Sequence, residues 1–471
     1  MAAISRAADP TEVFERMPVP QALMKMAIPT IISQLVALFY NVADTFFIGQ
    51  ADTTSDSAMV AASSLVLTVF MLTIPLSSLF GSGGGSLVVR LLGQKEEEEA
   101  KKVASYSLGM SVIVSLAFSL ICLIFMDPLL RFLGADDSSI GYAKQYLLYV
   151  VVIGGVPTVV SHTMSTLVRN VGHSREAGFG LSMGGLLNVA LDPLFMFVIM
   201  PDGYAVMGAA IATMLSNIIS LIYFIFVYKK LQATTVLSFP RSLPKLQKSS
   251  LKSLYAVGVP AALSPFFFDI DNMVMNRLAS GYDGGIAAMG IILKVERLPL
   301  NIDIGISLAM MPLVAYNYAS KNFKRMRSFF STARVAGVLV ALACIVFYRT
   351  FASEIMSAFL PHADAEYIIR GSEYLKARCL ATPFMFLSFQ MVNLMQAFGQ
   401  GKASFYLSLI RHIILFLPVM FILNYFFGMM GIAYTQLTAD IINVITSYII
   451  YWHVNKKIIK PEEKLLAEAA V

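Results

Sequence analysis

"AIPTIISQLVALFYNVADTFF" (27–47) and "GVPAALSPFFFDIDNMVMNRL" (258–278) together decide the fold. Each run is apolar and long enough to cross a bilayer as a helix, since ~20 residues rising ~1.5 Å each span ~30 Å of hydrocarbon. They share Pro29 with Pro260 and Asn41 with Asn272 in register. Two more pairs keep nearly the same separation: "RNVGHSREA" (169–177) with "QAFGQGKAS" (396–404), and "VMGAAIATMLSN" (206–217) with "MMGIAYTQLTAD" (429–440). That separation is half the chain, so one unit is used twice.

Composition agrees with a membrane protein. Of 471 residues 57% are hydrophobic and only 14% charged, with a mean hydropathy of +0.71. A soluble domain carries about a quarter charged residues. The apolar runs do not alternate as barrel strands would. The sequence predicts an all-α integral membrane protein with twelve transmembrane helices, at 23–49, 58–82, 103–126, 143–168, 176–199, 206–228, 254–278, 285–316, 328–348, 368–397, 404–426 and 431–454. Lys and Arg collect in every second connection, among them Arg90, Lys95, Lys101, Lys102, Arg241, Lys245, Lys248, Lys324 and Arg325, whereas "QADTTSDS" and "MPDGY" have none. Positive-inside bias then puts both termini in the cytoplasm. Six spans per half makes the repeat parallel, with a pseudo-two-fold axis along the membrane normal and a central site between halves.

The expected organisation is a cytoplasmic segment 1–20, a first lobe 21–228, a linker 229–252, a second lobe 253–455 and a tail 456–471. Residues 1–20 are polar and lack the apolar core of a cleavable signal peptide. Cys122, Cys344 and Cys379 have neither metal-ligand nor disulfide spacing. "GSGGGS" (81–86) lacks the GK[ST] of a phosphate loop and reads as close helix packing. His162 and His173 are too isolated for a metal site, and no nucleophile–base set is apparent, so an enzyme is not expected.

Charge deep in the spans is scarce in the first half, and it is expensive there. Asp44 and Asp192 carry it, and Asn188 precedes Asp192 by four residues on the same helix face. Both carboxylates fall at similar depth in the outer half of the membrane. Pro193 releases the carbonyl of Val189 from its helical bond. Buried carboxyls side by side suit a proton; the same oxygens, with Thr213, suit sodium. Pro29 and Pro260, shared by the repeat, are candidate hinges. The second half mixes both signs, with Asp269, Asp271, Lys294, Glu296, Arg297, Asp303, Arg334, Lys376, Arg378, Arg411 and Asp440, so mutual pairing is expected. Asp269, Asp271, Lys294 and Glu296 form a candidate second site. Asp271 lies opposite Tyr40 in the repeat, and Met275 lies opposite Asp44.

The chain resembles the multidrug and toxic compound extrusion family, in particular its bacterial multidrug-efflux branch. The resemblance runs from about Pro18 to Lys457 and rests on "IPTIISQLVALFYNVADTFFIG", "VVRLLGQK", "RNVGHSREA", "LLNVALDP", "VMGAAIAT", "MMPLVAYNYASK" and "QAFGQGKAS", in that order along the chain. It implies two six-helix lobes forming a V in a bacterial inner membrane. It implies an antiporter that exports amphipathic organic cations against protons or sodium and needs no other cofactor. It further implies that Asp44, Asn188 and Asp192 form the coupling site, and that helix 1 bends near Pro29. The expected partners are small drugs and membrane lipids, not nucleic acid, and the expected state is a monomer. A flippase for a lipid-linked sugar is the alternative; it would want a basic cavity from Lys294, Arg297, Lys376, Arg378 and Arg411. A receptor or scaffold without transport is a third reading.

Overall fold

The structure is a computed structural model that describes residues 11–51, 58–201, 203–240, 242–360 and 364–469, and the Thr45 side chain is not among the described atoms. Arg6, Asp9, Asp202, Arg241 and most of "QADTTSDS" therefore lie outside the described residues. Helix follows helix along the chain. We number the long ones α1 (Val19–Ala51), α2 (Ala58–Gly93), α3 (Glu97–Ile124), α4 (Ile140–Ile153 with Gly155–Asn170, bent by 41°), α5 (Ser174–Ile199) and α6 (Ala205–Leu231). They continue as α7 (Lys248–Ala279), α8 (Gly285–Ala319) and α9 (Phe323–Phe359). Then come α10 (Ala365–Arg378 and Thr382–Ala397, joined by a 3-10 turn), α11 (401–427) and α12 (429–469).

Among the described residues nine helices are long and apolar enough to cross a membrane, or ten if the bent α4 is one span. The sequence predicts twelve, and the difference has two physical causes. Residues 401–469 form one helical stretch, divided only where Gly428 takes a left-handed φ of 58°. α10 is broken by its 3-10 turn into helices of 14 and 16 residues, the first carrying Glu366, Arg370, Glu373, Lys376 and Arg378 and the second Gln390, Asn393 and Gln396.

The described residues divide into two compact units, one within 1–17 and 28–262, the other within 18–27 and 263–471. In the first unit α2 packs on α3 and α4, and α5 on α6. Phe80, Val88, Val103, Leu108, Met164, Leu167 and Phe224 form one apolar core there. A second core joins Ile48, Met59, Val66, Tyr146, Leu147, Met196 and Val206. Within "GSGGGS" the backbone of α2 nearly touches three neighbours: a Cβ would meet the Leu254 carbonyl oxygen of α7 at 2.6 Å from Gly83, Ser107 Cβ of α3 at 2.8 Å from Gly84, and Asn170 Cγ of α4 at 3.0 Å from Gly85. Residues 232–240 and 242–247 are non-helical and pack on α3, with Val236 and Leu237 buried and Ser105 Oγ bonded to the Ser238 carbonyl at 3.2 Å. In the second unit α8 packs on α9 and α10, around Met275, Met289, Ile292, Leu375 and Met420.

The outward faces are apolar. On α1, Phe39, Val42 and Phe46 are 64%, 62% and 59% exposed and share one stripe, as residues spaced by three and four must. For a soluble protein this surface would be unfavourable; for a membrane helix it is the lipid face. Tyr40 and Asp44 fall on the other side of the same helix, half-buried.

Candidate functional site

Close approach of α5 to α1 builds the first-unit site. A Cβ on Gly178 would lie 2.9 Å from the Pro29 carbonyl carbon, and one on Gly185 would lie 3.0 Å from Tyr40 and from Val36. Small residues at such spacing let helix backbones meet where lipid offers no hydrophobic drive. α1 stays helical through Pro29, as does α7 through Pro260, which is buried. Pro193 likewise stays inside α5, and the helix then widens to a π-helical turn over Phe195–Ile199. Such turns rehouse carbonyls that a proline leaves unpaired.

On this frame Asp192 is fully buried and Asn188 and Thr213 nearly so. Asn188 Nδ2 donates to Asp192 Oδ1 at 2.9 Å and to Thr213 Oγ1 at 3.2 Å, which joins α5 to α6. Asp44 Oδ2 accepts from the Tyr146 hydroxyl of α4 at 3.3 Å. The Asp44 charge acts on Asp192, and both act on Tyr146. Asp44 Oδ1, Asn188 Oδ1 and Asp192 Oδ2 are buried without a hydrogen-bond partner among the described residues. Orphaned buried oxygens are costly, and three on one linked set of side chains suit a proton or a small hard cation. Sequence reasoning missed Tyr146, which looks like one more aromatic residue in an apolar run.

The second unit answers differently. Of Asp269, Asp271, Lys294 and Glu296, Asp269 and Lys294 are exposed, whereas Asp271 is buried and Glu296 half-buried. Arg378 holds Glu296 with Nη2–Oε2 at 3.1 Å and also donates to Gln436 Oε1 at 3.0 Å. Arg411 grips Asp440 through Nε–Oδ1 at 2.7 Å and Nη2–Oδ2 at 3.1 Å, and it lies 4.5 Å over the Phe389 ring. Asp271 Oδ2 pairs with His412 Nδ1, a partner the sequence reading did not assign. Met275, opposite Asp44 in the repeat, is buried with Arg378 Nη1 3.8 Å from its sulfur. Continuing the 169–177/396–404 pairing without a gap puts Val419 opposite Asp192. The acids of the first-unit site thus have no counterparts here. No His, Cys, Asp or Glu group fit for a metal ion occurs among the described residues.

Repeated halves, long apolar helices and buried carboxylates linked by amides define a polytopic membrane transporter. More narrowly, the chain belongs to the MatE family, whose model matches residues 29–194 and again 259–425, once per half. It is similar to the multidrug export protein MepA of Staphylococcus saprophyticus, 26% identical over 456 residues, covering 96% of this chain and 98% of that one. MepA of Staphylococcus aureus is 27% identical over 442 residues, covering 93% and 95%. An outward-facing structure of a multidrug resistance MATE family transporter shares the fold with a TM-score of 0.87 at 21% identity, over 96% of this chain and 98% of that one.

Proposed function

We propose that this chain is a multidrug-efflux antiporter that exports amphipathic organic cations in exchange for protons or sodium ions. Asp44, Asn188, Asp192 and Thr213 hold the coupling ion, with Tyr146 orienting Asp44. The observation that carries this reading is the set of three unpaired buried oxygens on Asp44, Asn188 and Asp192. An ion there shifts the equilibrium between conformers only by its differential affinity for them, and α1 is the element it touches through Asp44. Bending of α1 at Pro29 and of α7 at Pro260 supplies the movement. The lobes are 21–228 and 253–455, joined by 229–252, with both 1–20 and 456–471 on the cytoplasmic side of a bacterial cell membrane.

The drug-export names of the MepA relatives support the substrate class. The alternative, a lipid-linked sugar flippase, needs free basic groups for a pyrophosphate. Arg378 and Arg411, the two buried ones, are instead committed to Glu296 and Asp440.

The test is accumulation of a cationic dye in inverted membrane vesicles, driven separately by a pH gradient and a sodium gradient. Asp44→Asn and Asp192→Asn should each abolish the driven component. Wild-type accumulation by both variants would move the coupling site elsewhere.

A further inference from the structure

Asp303 of α8 is fully buried, and among the described residues no cation is bonded to it. Gln390 of α10 donates Nε2–H to Asp303 Oδ1 at 3.0 Å and to the Ala333 carbonyl at 3.3 Å. The other oxygen of each partner, Asp303 Oδ2 and Gln390 Oε1, is buried and has no hydrogen-bond partner among the described residues. Two acceptors orphaned together on already bonded side chains share one remedy. A hydrogen on Asp303 Oδ2 would donate to Gln390 Oε1 and close an acid–amide ring in which every polar atom is satisfied.

Charge accounting points the same way. Glu296 is neutralised by Arg378 and Asp440 by Arg411. Asp271 has His412. Among the described residues the hydrogen-bond partner of Asp303 is an amide. Of its neighbours, α9 presents Gly337, whose Cβ would lie 2.5 Å from Gln390 Nε2, and the Ala333 carbonyl, and α8 carries Ser307 one turn on. From α11 Arg411 acts on Asp303 only at longer range, and Arg411 is committed to Asp440. An ionised carboxylate in that setting would be an uncompensated buried charge.

We propose that Asp303 and Gln390 form a proton-binding site in the second lobe, with the proton carried on Asp303 Oδ2 and bonded to Gln390 Oε1. The bonding repeats that of Asp192 with Asn188, where the amide likewise donates to one carboxyl oxygen while the second carboxyl oxygen and the amide oxygen stand unpaired. In the first lobe the pair sits on one helix; in the second it bridges α8 and α10. The site is independent of the first-lobe coupling reading and stands if that reading fails.

Infrared spectroscopy of the purified full-length protein in proteoliposomes at neutral pH tests it. Asp303→Asn should delete one protonated-carboxyl C=O band from the wild-type spectrum, and Asp192→Asn should leave that band in place. Gln390→Leu should keep the band but move it to higher wavenumber, because the acid loses both of its bonds; this variant decides the matter should Asp303→Asn fail to fold. Loss of a carboxylate band in place of a carboxylic acid band in Asp303→Asn would overturn the proposal. So would a band that disappears when sodium is added, because Asp303 Oδ2, Gln390 Oε1 and Ser307 Oγ, another unpaired oxygen, would then be ligands of that ion. An unmoved band in Gln390→Leu would also overturn it.

Discussion

Gly178 of α5 lies flush against the backbone of Pro29 of α1, with its missing side chain replaced by the Pro29 carbonyl group. Pro29 has no N–H, so the carbonyl of Lys25 one turn earlier lacks its helical partner and α1 is weakest there. The weak point of α1 therefore rests on the smoothest point of α5. A methyl group at residue 178 must push α1 away from α5, and with it Asp44 from Asp192. Gly178→Ala should cost about 1–3 kcal/mol of stability, as overpacking does, and reduce dye transport. Gly141→Ala is the control, because nothing lies within 4 Å of the added atom. Thermal melts of both variants, with vesicle transport alongside, check the difference.

Tyr146 is the hydrogen-bond partner of Asp44 among the described residues. Tyr146→Phe keeps the ring in its apolar core and deletes only the hydroxyl. A net bond of about 0.5–1.5 kcal/mol translates to a drop in gradient-driven transport of roughly twofold to tenfold. Expression and melting temperature should stay near wild type, which separates this effect from misfolding. Equal transport by Tyr146→Phe and wild type would remove Tyr146 from the site.

Asp44, Asn188 and Asp192 stand out in the sequence because a charge or amide in an apolar helix has few cheap reasons to be there. Tyr146 does not stand out, since a tyrosine is at home in a membrane helix and its bond to Asp44 reaches across 102 residues of chain. The second half shows the same limit. Its charges are plain to read, and their tendency to pair follows from their mixed sign. Which cation takes which anion depends on helix packing, so Glu296 going to Arg378 and Asp271 to His412 emerge only in three dimensions. In the sequence Asp303 is one more member of that mixture, whereas in the fold it lies beside an amide, a glycine and a carbonyl. The repeat itself was legible from motifs alone, because Pro29 and Pro260 keep their register over half the chain.

Arg378 and Glu296 form a buried pair, with side-chain exposures of 3% and 11%. Removing one partner strands the other, so Arg378→Met or Glu296→Gln alone should cost about 3–5 kcal/mol. The double variant should recover most of that loss, because neither charge remains. Melting temperatures of the two single variants and the double variant measure this coupling. A basic site awaiting an anionic lipid would behave otherwise: Arg378→Met would fold normally, and the double variant would gain nothing over it.

Among the described residues of the segment 232–247 none is helical, yet the segment is fastened at three places. Ser105 bonds Ser238, Val236 and Leu237 are buried against α3 and α6, and the buried Glu99 accepts from Ser250 Oγ at 2.8 Å just after the segment rejoins helix. Lys245 and Lys248 are exposed beside these contacts. Cleavage by trypsin still needs local opening of the backbone, and its rate follows the free energy of that opening. Each lost bond lowers that free energy by about 1 kcal/mol. Glu99→Ala combined with Ser105→Ala should therefore speed cleavage at Lys245 and Lys248 by roughly tenfold or more, while Lys101 and Lys102 on α3 should be cut no faster. Mass spectrometry of the early digest identifies the sites. Unchanged cleavage at Lys245 and Lys248 would mean that the apolar contacts of Val236 and Leu237 hold the segment by themselves.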